Sequence, residues 1–292
     1  FYTDKLREET YRNDGSKREL PVAFWYPKEY QRTQSCPLVI FSHGSFGMKE
    51  SNETLFRELA SHGYIVCSVD HTYQCFSTKL SNGKTVRLSS QFMKEVGADE
   101  PTKRPKQSVK NFEKWMTIRT DDINFILDTI LEESGKESFL GVIDRSKICV
   151  MGHSLGGSAA LGVGRQREDI AAVISLEAPF LCDIQGVDEK NNFIFDQSDY
   201  PVPVLNVYSD ATWNHLVEWK QYEENLRLLS RESHEIQNVH FSGVGHFSLT
   251  DLSQTSPFLT MLFDGKKPKE SPQTTLKRIN QVCLAFLEQQ MK

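Results

Sequence analysis

The sequence predicts an α/β fold, with a mostly parallel central sheet and helices on both faces. Three observations predict it. Short apolar runs alternate with longer stretches of helical period along most of the 292 residues. Five of the seven runs are rich in Val and Ile with little alternation, as strands buried on both faces require. One run also passes through closely spaced glycines (Gly152, Gly156, Gly157) directly into a helical stretch of small residues, as a tight strand-to-helix turn requires.

In chain order, the predicted strands are residues 20–26, 38–42, 64–69, 147–151, 171–176, 202–208 and 239–243. Predicted helices cover 49–61, 109–133, 155–165, 216–230 and 272–290. The last carries Leu276, Ile279, Val282, Cys283, Phe286 and Leu287 on one stripe. Residues 73–110 interrupt the alternation. Ser81-Asn82-Gly83-Lys84 between two short runs reads as a β-hairpin, and 97–107 as a polar loop. This stretch reads as an insertion on a single domain spanning 1–292, whose residues 1–18 form a polar N-terminal segment.

The composition narrows the function. Hydrophobic residues make up 38% and charged residues 25%, enough apolar chain for a real core. With 34 Lys+Arg against 39 Asp+Glu and no long basic run, nucleic acid is excluded as the expected partner. No apolar run approaches the roughly 20 residues of a membrane-spanning helix. Residue 1 is Phe, so the expectation is a removed leader or anchor, or a piece of a longer protein, leaning towards an extracytoplasmic location. Cys67 and Cys149 lie in apolar runs and read as free and inert, while an even count of six leaves a disulfide among the others open. Metal ligation finds no motif, neither H-E-x-x-H nor an acidic loop of calcium-binding type. No cofactor is expected. Asp121-Asp122 and Glu132-Glu133 read as solvated helix faces.

The strongest motif is Gly152-His153-Ser154-Leu155-Gly156. A Ser hydroxyl is a weak nucleophile unless presented to a base. In G-x-S-x-G the Ser sits on a sharp turn at the carboxyl edge of the sheet, with an apolar strand before it and a helix after it. Both flanks are present here. His43-Gly44-Ser45-Phe46-Gly47 follows an early strand, where an α/β-hydrolase fold places one oxyanion donor. The backbone N–H groups of Ser45 and Leu155 are the candidate pair. Of the histidines after Ser154, only His246 lies in a Gly-flanked loop just past the last strand, making it the candidate base. His215, His234 and His240 read as structural or exposed. Two carboxylates end strands after Ser154, Glu177 and Asp210, and either suits the role of orienting the imidazole. Fold position alone favours Asp210.

Four segments carry a more specific resemblance: Phe24-Trp25-Tyr26-Pro27, Phe41-Ser42-His43-Gly44, Leu59-Ala60-Ser61-His62-Gly63-Tyr64-Ile65-Val66 and Gly152-His153-Ser154-Leu155-Gly156-Gly157. Over about residues 18–251 the chain resembles the plasma-type platelet-activating factor acetylhydrolases and their bacterial relatives. That resemblance implies an acid in an Ile-x-Leu-Asp-Ala context, matched here by Ile174-Ser175-Leu176-Glu177-Ala178, 23 residues beyond Ser154. It therefore points to Glu177, with Glu where the family has Asp, and leaves Asp210 as the alternative. It also implies an apolar residue three positions after the histidine and an Asp-apolar pair at five and six, matched by Leu249, Asp251 and Leu252.

The expected activity is calcium-independent hydrolysis of a carboxylic ester through an acyl-serine. By resemblance, the substrate is a short-chain acyl ester, extending to the sn-2 position of a phospholipid, with peripheral contact to a lipid surface. The alternatives are a general carboxylesterase or polyester hydrolase and, from another class, a binding protein on a hydrolase scaffold. The insertion at 73–110 is expected to wall the acyl pocket.

Overall fold

In a computed structural model, residues 1–29, 35–134 and 138–291 are described. Their elements follow the predicted alternation. Strand β1 (Tyr2–Glu8) pairs antiparallel with β2 (Lys17–Leu20), so part of the polar start is folded onto the domain. Residues 20–26 are not one strand. Pro21 has no N–H to donate to a ladder, and the chain breaks there into β2 and β3 (Val22–Trp25). Then come β4 (Cys36–Ser42), α1 (Glu53–Ser61) and β5 (Ile65–Val69). In the insertion, β6 (Ser77–Lys79) and β7 (Thr85–Arg87) form the predicted hairpin. The insertion also holds α2 (Ser90–Gly97), capped by Ser89, which sequence reading did not anticipate. Helix α3 (Pro105–Glu133) starts earlier than 109 because Pro105, with its preset φ, is suited to a first helical turn.

The second half continues with β8 (Ile143–His153), α4 (Leu155–Gln166) and β9 (Ala172–Leu176). A small antiparallel pair, β10 (Ile184–Val187) and β11 (Phe193–Phe195), precedes β12 (Val204–Ser209) and the short α5 (Asp210–Trp213). The single helix predicted at 216–230 is instead a turn, a 3-10 segment at Lys220–Tyr222 and α6 (Glu223–Leu229). Strand β13 (Ile236–Phe241), α7 (Leu252–Thr255), α8 (Pro257–Asp264) and α9 (Pro272–Gln290) complete the chain.

Seven strands form one sheet in the order β13-β12-β9-β8-β4-β5-β3. Only β3 runs antiparallel to its neighbour. Consecutive side chains along a strand point to opposite faces, so each central strand feeds two cores. Leu38, Ile40, Ile148 and Val150 pack with α3 and α4 on one face. Val39, Phe41, Cys149 and Met151 pack with α1 and α9 on the other. Near-continuous Val/Ile runs are what such double burial selects. All six cysteines are free, five buried and Cys182 half-buried. The parallel strands all end at one edge, where the loops carrying the predicted residues collect.

Candidate active site

Ser154 is the single residue between β8 and α4, with φ 52° and ψ −127°. A left-handed φ costs a non-Gly residue about 1–3 kcal/mol and persists only where its surroundings fix it. Here the Ser154 N–H donates to the Leu176 carbonyl at 2.8 Å. Glycine is obligatory on both flanks: a Cβ on Gly152 would run into the Gly156 backbone, and one on Gly156 into the Ser42 carbonyl. The helix is thereby drawn onto β4 and β8, and the serine is left on the sheet edge.

The loop after β4 arrives at the same point. A Cβ on Gly44 would lie 3.2 Å from Ser154 Cβ. Ser45, Ser154 and Leu155 line one cavity of about 200 Å³ with Phe112, Leu181, Trp219 and Tyr222. Leu155 opens α4, so its N–H has no partner within the helix. Among the described residues, the Ser45 N–H donates to no backbone acceptor outside the helices and strands. Asp99 and Pro101 of the insertion also line this cavity, whereas the β6–β7 hairpin does not.

The acid alternatives separate clearly. Glu177 follows β9 with φ 58°, its N–H bonded to the Val207 carbonyl at 2.7 Å. Its carboxylate is buried, accepts from Ser209 Oγ at 2.6 Å and Ser209 N–H at 3.2 Å, and lies 3.7 Å from His246 Nδ1. That last spacing is slightly beyond hydrogen-bond length, and it becomes an ion pair only when His246 takes up a proton. Burial raises the Glu177 carboxyl, but His246, Ser209 and Thr212 outweigh it and hold it below the usual range. Asp210 has other partners: His240 Nε2 at 2.9 Å, the Gly243 N–H at 3.0 Å and Lys266 Nζ at 3.1 Å. It braces the loop that leads to His246, and its pair with His240 places that histidine in a structural contact.

His153 links the two halves of the site. Its Nε2 lies 3.2 Å from the His246 carbonyl, which can only accept, so the ring carries its proton there. The two rings are 4.5 Å apart. Burial, together with the neighbouring His246, pushes His153 down to about 3, keeping it neutral. Asp251, matched only by resemblance in the sequence, accepts from Thr54 N–H at 2.8 Å and from Thr54 Oγ1, tying the segment after His246 to α1.

Sequence reading missed Trp219, Gln221 and Tyr222, because the helix assumed there hides that the broken segment turns them into the cavity. It also misplaced Asp122, read as solvated. Asp122 is fully buried, paired with Arg18 at 2.6 Å and His71 at 2.9 Å. A signal was present: Arg119 and Asp122 share the inward stripe of α3 with Ile123 and Ile126. Charges on an apolar stripe are seldom buried without partners. Among the described residues no group of three His, Cys, Asp or Glu is arranged to hold a metal.

A mostly parallel sheet with a strained serine at the strand-to-helix elbow, and a carboxylate and a histidine in loops after later strands, defines the α/β-hydrolase fold class. The solved ferulic acid esterase from Streptomyces cinnamoneus superposes over 99% of this chain and 87% of its own, with TM-score 0.65 at 20% identity. A putative dienelactone hydrolase from Klebsiella pneumoniae covers 94% and 95%, with TM-score 0.54 at 16% identity. Residues 19–292 match the family described as platelet-activating factor acetylhydrolase, isoform II, and the chain belongs to that family. It is 24% identical over 276 residues to the platelet-activating factor acetylhydrolase of Canis lupus familiaris, across 87% of this chain and 57% of that protein. Cutinase est1 of Thermobifida alba is 28% identical over 152 residues, 52% of this chain and 37% of that protein. The chain thus spans 57–62% of the length of the acetylhydrolase relatives from dog and chicken.

Proposed function

We propose that the protein is a serine-dependent, calcium-independent carboxylic ester hydrolase for short acyl chains. The observation that carries this reading is the convergence of Ser154, Ser45 and Leu155 on one small cavity, with the His246–Glu177 pair joined to it through His153. Ser154 Oγ attacks the ester carbonyl while His246 takes the hydroxyl proton through Nε2. The Ser45 and Leu155 N–H groups donate to the carbonyl oxygen as it becomes an oxyanion. Collapse expels the alcohol, which receives the proton from His246 and leaves an acyl-serine. Water then attacks the acyl carbonyl, giving its proton to His246, and the acid departs as Ser154 is reprotonated. Glu177 fixes the tautomer and stabilises the imidazolium.

A cavity of about 200 Å³ is below the roughly 300–1,000 Å³ of drug-sized sites. A cavity of that size suits a short acyl group. In a panel of p-nitrophenyl esters from acetyl to dodecanoyl, with Ser154→Ala as blank, the shortest esters are expected to have the highest kcat/KM. Trp219→Ala should move that preference several-fold towards octanoyl. A chain-length profile identical to wild type would show that the acyl chain leaves by another route.

Contact with a lipid surface is the second part of this reading. Helix α8 exposes Phe258 by 67%, Leu262 by 61% and Phe263 by 55%, and Lys266, Lys267 and Lys269 follow it. Exposed apolar residues beside lysines suit an anionic interface. The helix also reaches the site. Asp264 accepts from the Phe247 N–H at 2.8 Å and from Ser248 Oγ at 2.8 Å, directly after His246. Phe258→Ser/Leu262→Ser is expected to lower co-sedimentation with phosphatidylcholine/phosphatidylserine vesicles about tenfold. It should also reduce turnover of a micellar ester relative to a dissolved one. Unchanged sedimentation would remove α8 from this role. Among the described residues, no helix is long and apolar enough to cross a membrane.

A further inference from the structure

Beneath the loop after β4 lies a buried polar network that the proposed reaction does not use. Ser42 Oγ is 2.8 Å from His71 Nε2, and His71 Nδ1 is 2.9 Å from Asp122. This is a second Ser–His–Asp line, but all three side chains are fully buried, so no substrate reaches it. Arg18 completes it with a two-pronged bond to Asp122, at 3.0 and 2.6 Å, and a third to Glu9 at 2.6 Å.

The network ends on the loop that carries Ser45. His71 donates its backbone N–H to His43 Nε2 at 3.2 Å, and His43 Nδ1 is 2.6 Å from the Gly44 carbonyl. A carbonyl only accepts, so the His43 proton sits on Nδ1 and Nε2 is the acceptor. Burial, with the nearby Arg119 charge, holds His43 well below its usual range, consistent with that neutral ring. The Gly44–Ser45 peptide bond is trans. The Ser45 N–H therefore points opposite to the Gly44 carbonyl. That carbonyl also accepts the Gly47 N–H at 3.1 Å, and holding it on His43 turns the Ser45 N–H away from the buried ring, while Ser45 lines the cavity with Ser154.

Arg119 supplies the rest of the grip. From α3 its fully buried guanidinium donates through Nη1 to the His43 carbonyl and to Ser42 Oγ at 3.4 Å, and through Nε to Gln74 Oε1 at 2.7 Å. The Gln74 carbonyl in turn accepts the Phe46 N–H at 3.3 Å. Nη2 of Arg119 has no hydrogen-bond partner among the described residues. An incompletely paired buried cation is an expensive way to fill space, and an apolar side chain would fill it more cheaply.

We propose that Arg119, acting through the His43 carbonyl and Gln74, is a positioning residue that aims the Ser45 N–H at the oxyanion. The proposal rests on the serine-hydrolase reading. It separates from that reading because its variants keep Ser154, His246 and Glu177. The test compares wild type with Arg119→Met and Arg119→Lys. Lys keeps a nitrogen donor of similar reach but lacks the planar fork that meets several acceptors at once, and the burial that pushes Arg119 down to about 9 acts on an ammonium too. Active sites are titrated with a fluorophosphonate, so that turnover is counted per competent molecule. Removing an oxyanion donor outright costs about 10²–10³ in kcat. A misaimed donor should cost less, about 10–100-fold in kcat, with KM changed by under threefold. The inhibition constant of a trifluoromethyl ketone, which forms an oxyanion on the serine, should rise by the same factor as kcat/KM falls.

A purely structural Arg119 would lower the titratable fraction and leave these ratios alone. If Met does not fold, Lys decides. Kcat per titrated site within twofold of wild type in every folded variant overturns the proposal, as does a ketone affinity that fails to follow kcat/KM. A wild type that neither turns over esters nor takes up the fluorophosphonate would instead overturn the underlying reading.

Discussion

Ser154→Ala is expected to remove ester turnover by a factor on the order of 10⁶ in kcat, the size of loss seen when a serine nucleophile is deleted. The remainder, about 10³–10⁴ above water, comes from oxyanion donors and binding that do not require the hydroxyl. Folding should be nearly unaffected. Alanine keeps the Cβ, and the turn at φ 52° is held by the Ser154 N–H bond to Leu176 and by the glycines on either side, not by Oγ. The measurement is kcat on the acetyl ester beside a thermal melt and fluorophosphonate labelling. Activity within a few-fold of wild type would end the serine-hydrolase reading. A wild-type chain that takes no label would favour the binding-protein alternative.

The parts of this architecture that were legible in sequence share a physical cause: each is set by short-range constraint. The Ile148–Met151 run is apolar at every position because both faces of β8 are covered. Gly152 and Gly156 stand where any Cβ collides with backbone. His246 is marked by glycines at the end of a strand, and α9 by a stripe whose predicted bounds equal those observed. What escaped depends on distant partners. Asp122 looks like a solvated charge until Arg18, 104 residues away, closes on it. The segment at 216–230 has helical composition, but it breaks where Trp219, Gln221 and Tyr222 line the cavity. Glu177 and Asp210 both end strands, and strand position alone favours Asp210, with only the Ile-x-Leu-acid-Ala resemblance pointing to Glu177. The observed difference lies in which histidine each one meets.

Glu177→Gln is expected to lower kcat by about 10²–10⁴, with Asp210→Asn costing no more than about tenfold. The amide keeps the shape of Glu177 but presents the wrong partner to His246 Nδ1, and the analogous change in a serine protease costs about 10⁴. The longer side chain and the 3.7 Å spacing argue for the lower part of that range. Asp210 acts on the loop through Gly243 and His240, so its loss should loosen the approach to His246 without removing the imidazole's partner. Stability supplies an independent check with a defined sign. The folded Glu177 carboxyl is held below its ordinary value, so it contributes stability that is fully present above the unfolded value, about 4.3. That contribution fades as the pH falls through the folded value. The urea midpoint of Glu177→Gln should therefore trail wild type at pH 7 and approach it at strongly acid pH. A deficit independent of pH would mean that the folded carboxyl titrates as in the unfolded chain and gains nothing from its partners, and one that shrinks as the pH rises towards 7 would mean that it is not ionised at neutrality. Collapse of activity in Asp210→Asn, with Glu177→Gln close to wild type, would move the acid to Asp210 and require the loop after β13 to rearrange before catalysis.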